Sequence, residues 1–300
     1  MTGPRVASTR AELVDLLAGA RGKGDRVGLV PTMGALHDGH AALMARAREQ
    51  IGDGPLVVSV FVNPTQFGKG EDLDRYPRTL DADLEVCARR GVDVVFAPSV
   101  DEVYPDGVGA DWAEQSVTVD PGPLATVLEG QVRPGHFRGV LTVVAKLFAL
   151  VRPGVAVFGE KDYQQLALIR RMSRDLCLGV EVVGAETVRE PDGLAMSSRN
   201  RFLDREQRMR AAALPRSLER ARANADQGAR AALAAARAEL RQAHGVDLDY
   251  LVITLPDLSD LPPRTPAGTE ARILIAARVG STRLIDNLPL TLGAVDKGDS

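Results

Sequence analysis

Four short runs of β-branched and aromatic residues, Val27–Val30, Leu56–Val62, Val92–Phe96 and Val155–Phe158, recur through the first half of this 300-residue chain with helical patterns between them. The runs are apolar throughout instead of alternating, as strands covered on both faces are. Strands separated by helix-length segments pair in parallel, because a parallel neighbour is reached only by a long crossover. The helical segments fall at about 40–50, 81–90, 139–151 and 162–176, with Arg46, Arg48 and Glu49 turned to solvent and Gly91 placed to end the second. The pattern predicts an α/β fold: a Rossmann-like open parallel sheet with helices on both faces.

Past about residue 186 the pattern changes to Ala/Arg-rich helices, about 204–224 and 229–244, followed by apolar strands near 249–254 and 272–278. Two domains are expected, 1–186 and a smaller α+β C-terminal domain at 187–300. The composition, 45% hydrophobic and 26% charged, is sufficient for two cores. A net charge of −3 provides no basic field to gather nucleic acid or an anionic membrane. Cys87 and Cys177 lie far apart among apolar residues and read as buried thiols. No apolar run reaches the roughly 18 residues of a membrane span, and Met1–Arg10 lacks a signal-peptide core, so a cytoplasmic location is expected.

The chain has four histidines, and two of them, His37 and His40, flank Gly39 just after the first strand. Gly34 permits an unusual turn and the helix begins at about His40, which puts both imidazoles at a helix N-terminus. Such a site suits phosphate, through backbone N–H groups, the helix dipole and imidazole donors. Phe158-Gly-Glu-Lys-Asp-Tyr-Gln-Gln165 also follows a strand, on the same carboxyl edge, where ligands of open α/β sheets bind. There Lys161 can reach phosphate, and Asp162 reads equally as a helix N-cap. Met196-Ser-Ser-Arg-Asn200 offers hydroxyls and a guanidinium suited to closing over a polyphosphate, or simply starts a helix. Phe61-Val-Asn-Pro-Thr-Gln-Phe67 places Asn63 and Gln66 after the second strand, and Gln165 supplies a third carboxamide for a small polar acid. Asp83, after the Tyr76–Thr79 stretch, reads as a solvent-facing helix acid, with a supporting role behind the site as the alternative. Gly22-Lys23-Gly24 and Gly68-Lys69-Gly70 fall short of a P-loop, no G-x-G-x-x-G follows the first strand, and no G-x-S-x-G occurs.

Pro31–His40, Phe61–Phe67, Tyr76-Pro-Arg-Thr79, Phe158–Gln165 and Leu194–Asn200, in this order and at these separations, resemble the pantoate–beta-alanine ligases, a family of the HxGH nucleotidyltransferase superfamily. HxGH alone marks the superfamily, whereas the FVNPTQF and GEKDYQQ stretches narrow the resemblance to the family. It extends through nearly the whole chain. The resemblance implies that pantoate and Mg-ATP form pantoyl adenylate and diphosphate, after which beta-alanine attacks to give pantothenate and AMP.

Carried over by position, it implies ATP binding by Pro31, Thr32, Met33, Gly34, Ala35, Leu36, His37, Asp38, Gly39 and His40. Gly159, Glu160, Lys161, Asp162, Val188, Met196, Ser197, Ser198 and Arg199 complete the ATP set. His37, His40 and Lys161 are the implied catalytic residues, with His40 as proton donor. Gln66, Gln165 and Asn63 are expected to hold pantoate, and Gln66 also beta-alanine. Mg²⁺ is expected on ATP without dedicated protein ligands, and a homodimer is implied. Residues 1–186 are expected to bind nucleotide and pantoate, with 187–300 as a lid domain. Other HxGH adenylyltransferases act on phosphorylated acceptors, for which the amide-rich FVNPTQF segment is poorly suited. An aminoacyl-tRNA synthetase would require a basic RNA-binding surface.

Overall fold

The computed structural model describes residues 3–68, 72–108 and 117–293. Lys69 and Gly70 of the second Gly-Lys-Gly stretch, and the polar tail past Gly293, lie outside them. The chain divides into two compact units, Met1–Gly159 with Gln164–Glu186 and Glu160–Tyr163 with Thr187–Ser300. A single cut at 186/187 puts Glu160–Tyr163 in the first unit, whereas this turn packs with the second.

The first unit carries strands β1 (Arg5–Ala7), β2 (Gly28–Thr32), β3 (Leu56–Val60), β4 (Val94–Phe96), β5 (Val155–Gly159) and β6 (Glu181–Ala185). Its helices are α1 (Arg10–Lys23), α2 (Asp38–Ile51), α3 (Leu80–Arg89), the short α4 (Val100–Val103) and α5 (Glu129–Val132), α6 (His136–Val151) and α7 (Tyr163–Asp175), the last beginning in the turn assigned to the second unit. All pairings are parallel, in the order β1-β4-β3-β2-β5-β6. Val30, Leu56, Val58, Val95, Val155 and Val157 are wholly buried, matching the continuous apolar runs. From β2 the chain builds outward through β3 and β4, then returns to β5 on the other side of β2. That reversal makes the carboxyl end of β2 the switch point at which open α/β sheets bind ligands.

Several expectations are corrected. Pro31 lies inside β2 instead of ending it: the ladder with β5 stops at Leu29↔Ala156, so the missing N–H falls beyond that pairing. Edge strands β1 and β6 appear where no strand is expected, since three residues, or a run holding Glu181 and Gly184, carry little apolar signal. Cys87 is buried as expected, but Cys177 is exposed, in a left-handed turn (φ 52°) that ends α7.

In the second unit the helix expected at 204–224 is two helices, α8 (Arg205–Ala211) and α9 (Ala213–Ala223). Pro215 explains the break: it has no N–H to bond Ala211, yet is tolerated in the first turn of a new helix. α10 (Ala229–Arg241) packs against α9 through Ala221, Ala232 and Ala236, all fully buried, so alanine here permits close helix approach as well as helix formation. Below them lies an antiparallel sheet, β7 (Asp247–Thr254), β8 (Thr269–Val279) and β9 (Thr282–Leu292). β9 is a further unexpected strand; its signal is the two-residue turn Gly280-Ser281, with Gly280 at φ 60°. Leu214, Leu218, Ile273, Ile275, Val279 and Leu292 fill this unit's core.

Candidate active site

β2 ends in a turn that departs sharply from strand geometry, with Gly34 at φ 82° and Ala35 at φ 51°. Thr32 starts it: its hydroxyl donates to Ser59 O (2.7 Å) and accepts from Gly34 N (3.2 Å). A Cβ on Gly34 would lie 2.9 Å from Asp83 Oδ2, so glycine is needed for space as well as conformation. Asp83 is not a solvent-facing acid. It is 2% exposed, on the inner side of α3, and its two carboxylate oxygens accept from Ala35 N (3.1 Å) and Leu36 N (2.8 Å). Burial of Cys87 one turn later on the same face is the available signal.

α2 then starts with His37 as its N-cap. His37 Nδ1 accepts from Gly39 N (3.1 Å), and His40 Nδ1 accepts from His37 N (3.3 Å), a capping box built from imidazoles whose ring centroids lie 4.2 Å apart. These bonds assign the tautomers: with Nδ1 accepting, each neutral ring carries its proton on Nε2. The expectation that backbone N–H groups of this turn serve phosphate is therefore narrowed. Those of Ala35, Leu36, His37 and Gly39 donate internally.

At the end of β3, Asn63 is 1% exposed and its amide is fully engaged. Nδ2 donates to Gln66 Oε1 (3.1 Å) and Gly139 O (3.3 Å), while Oδ1 accepts from Thr65 Oγ1 (2.7 Å) and Tyr104 OH (2.8 Å). Burial pushes the Tyr104 hydroxyl up to about 12. Gln66 Nε2 reaches back to Met33 Sδ at 3.2 Å, which ties the amide segment to the turn after β2. A third histidine joins this cluster without any local motif to announce it. Arg133 donates to His136 Nε2 (3.0 Å), and a guanidinium cannot accept, so His136 carries its proton on Nδ1 and donates to Gln66 O (2.8 Å).

The two glutamines of GEKDYQQ differ. Gln164 is buried and holds the segment before α6, accepting from Glu129 N and donating to Leu124 O and Val127 O. Gln165 is partly exposed.

In the second unit, Glu160–Asp162 forms a 3-10 turn. Asn287 of β9 donates from Nδ2 to Glu160 O (2.9 Å) and Lys161 O (3.0 Å). Arg272 of β8, 7% exposed, bonds Asn287 Oδ1 and the Glu160 carboxylate and stacks 3.7 Å from the Tyr163 ring centroid. Lys161 is mostly covered, its ammonium 3.4 Å from Asp162 Oδ1.

Val188–Met196 is a tight hairpin: Met196 N donates to Val188 O (2.9 Å), and Arg189 bonds Gly193 O and, through paired contacts at 2.7 and 3.0 Å, Asp286. Burial works against the charge on Arg189, but Asp286 raises its pKa above the ordinary guanidinium value. Ser197 accepts from Arg199 N and caps a short 3-10 turn, Ser198–Phe202, the helix-start alternative for this segment. Arg133, His136, Arg272, Asn287 and the Arg189–Asp286 pair all escape a reading of the sequence, and Asp83 is legible there only as the less favoured alternative.

The profile of the family described as pantoate-beta-alanine ligase matches residues 5–289. A pantothenate synthetase of Nocardioides sp. (strain ATCC BAA-499 / JS614) is 70% identical over 296 residues, covering 97% of this chain and 87% of that one. One of Thermobifida fusca is 57% identical over 275 residues, covering 89% and 90%. Among solved structures, pantothenate synthetase from Thermus thermophilus superposes with a TM-score of 0.82 at 50% identity, covering 95% of this chain and 98% of that one. Pantoate-beta-alanine ligase from Francisella tularensis, complexed with beta-gamma ATP and beta-alanine, gives 0.74 at 32% identity, covering 95% and 97%.

Proposed function

This chain belongs to the pantoate–beta-alanine ligase family, and from that premise we propose how its residues divide the ATP-dependent joining of pantoate to beta-alanine. A pantoate carboxylate oxygen attacks the α-phosphorus of ATP, the bond from that phosphorus to the oxygen bridging the β-phosphate breaks, and diphosphate leaves. The beta-alanine amine then attacks the acyl carbon of pantoyl adenylate, the bond to AMP breaks, and the amine gives up a proton.

Negative charge builds on phosphate oxygens in the first step, so fixed donors matter more than a strong base. His37 and His40 donate through Nε2, His40 to the leaving phosphate, and Lys161 adds a cation. Met33–His40 and Gly159–Asp162 bind ATP, together with Val188 and Met196–Arg199. Gln66 and Gln165 hold pantoate, with Gln66 also facing beta-alanine. Asn63 contributes by fixing the Gln66 amide. The observation that carries this reading is the hydrogen-bonded link from the imidazole turn through Met33 to Gln66, which sets phosphate donors and an acid-binding amide side by side.

Mg²⁺, expected to come with ATP, would neutralise phosphate charge when bound. Both oxygens of the Asp83 carboxylate are already engaged by backbone amides. The family resemblance supports a cytoplasmic homodimer. Among the described residues, no helix is long and apolar enough to cross a membrane.

Pantoate-dependent exchange of labelled diphosphate into ATP without beta-alanine tests the adenylate step. Adding beta-alanine should then yield AMP and pantothenate. Folded protein that performs neither reaction would sink the assignment.

A further inference from the structure

We propose that Asp83 is the positioning residue of the turn that carries His37 and His40, a role resting on the assignment of those histidines to ATP. Three observations converge on it. The turn holds two consecutive residues at positive φ, Gly34 and the non-glycine Ala35, a conformation that needs outside support. Support comes from one buried carboxylate, whose two oxygens each take one of two successive amides, at 3.1 and 2.8 Å. Contact is close enough that a methyl group on Gly34 would meet Asp83 Oδ2 at 2.9 Å.

The carboxylate is suited to this task because it presents only acceptors, and the turn presents two donors to it. An asparagine of the same shape would set an NH2 group against one of those N–H groups. Since Leu36 immediately precedes the N-cap His37, a shift in the turn is transmitted directly to both imidazoles. Asp83 touches none of the reacting groups in this scheme; it acts through the turn.

The test uses the full-length protein and two readouts. By hydrogen exchange, Ala35 and Leu36 amides should be protected in the wild type, and Asp83→Asn should speed their exchange about tenfold or more. By half-reaction, Asp83→Asn should lower pantoate-dependent diphosphate–ATP exchange turnover by on the order of 10–100-fold, as ångström-scale misplacement does. Aminolysis of supplied pantoyl adenylate by beta-alanine should stay within about twofold.

Unprotected Ala35 and Leu36 amides in the wild type would overturn the proposal even if no Asp83 variant folds. So would unchanged amide exchange in Asp83→Asn, or equal loss of both half-reactions together with a lowered melting temperature. A raised Mg²⁺ requirement with unchanged amide exchange would make Asp83 a metal ligand and equally overturn it. Wild-type protein without diphosphate exchange activity would instead defeat the ligase assignment, while amide exchange would still decide whether Asp83 holds the turn.

Discussion

The turn after β2 and the turn after β5 both follow strands of one parallel sheet, and both are proposed to bind ATP, yet they are braced from opposite sides of the peptide bond. In the first, a carboxylate accepts from two backbone N–H groups, Ala35 and Leu36. In the second, an amide donates to two backbone carbonyls, Glu160 and Lys161, while Arg272 pairs with the Glu160 carboxylate. The difference follows from what each turn offers a polyphosphate. In the proposed scheme the first works through imidazole N–H groups, so its own amides are available for anchoring. The second is proposed to work through a lysine, and carbonyl or carboxylate oxygens left unpaired near that lysine would repel phosphate; Asn287 and Arg272 engage those oxygens.

The largest expected effect lies at the first turn, where the side chain is proposed to meet phosphate itself. His40→Ala should lower diphosphate-exchange turnover on the order of 10²–10³-fold, with a milder rise in the KM for ATP. Single-turnover measurement of diphosphate release checks it, and near-normal release removes His40 from the catalytic set. Asn287→Ala should behave differently, because it loosens a support and leaves every donor in place. We expect a rise of up to about tenfold in the KM for ATP, a smaller change in turnover, and a loss of about 1–3 kcal/mol in denaturant-measured stability from two exposed carbonyl valences. If turnover falls as steeply as in His40→Ala, the distinction between the two turns collapses.

Third in size is Arg272→Lys. The guanidinium stacks on Tyr163 while bonding Asn287 and Glu160, a combination that an ammonium cannot reproduce. Stability should fall by about 1–2 kcal/mol, read from the shift in urea midpoint, with diphosphate exchange largely retained at saturating ATP. A neutral outcome would leave Asn287 as the sole effective brace of the second turn.

The two braces also mark how far the sequence can be read. Both turns are legible, because strand ends, glycines and clustered polar residues are local signals. Their supports are not: Asp83 lies 47 residues from Leu36, and Asn287 lies 126 from Lys161. Asp83 reads as a surface acid because a helix acid is usually solvated, although Cys87 one turn on reads as buried. Nothing near Asn287 in the sequence distinguishes it from any other polar residue of a strand. Edge strands β1 and β6 escape for a related reason, since their short or polar runs carry little periodicity. His136 lies outside any motif, and only α6 brings it to Gln66.

The smallest expected effect concerns Tyr104, which supports the first unit's amide cluster by donating to Asn63 at 2.8 Å. Removing that hydroxyl with Tyr104→Phe leaves the Thr65–Asn63 bond in place, so the cost at neutral pH should be about 0.5–1.5 kcal/mol. The pH dependence separates this role from simple packing. Burial raises the hydroxyl's pKa from 10.0 to about 12, so the folded state holds its proton more tightly than the unfolded state does. Stability from this group is therefore fully present below pH 10 and is lost as pH rises from 10 through about 12, where the unfolded chain releases the proton first. Urea unfolding between roughly pH 9 and 11 should show a downward slope that Tyr104→Phe reduces, alongside a late tyrosinate absorbance step missing from the variant. Equal slopes in the two proteins would mean that the hydroxyl ionises as freely folded as unfolded, and that Asn63 is held by Thr65, Gln66 and Gly139 without it.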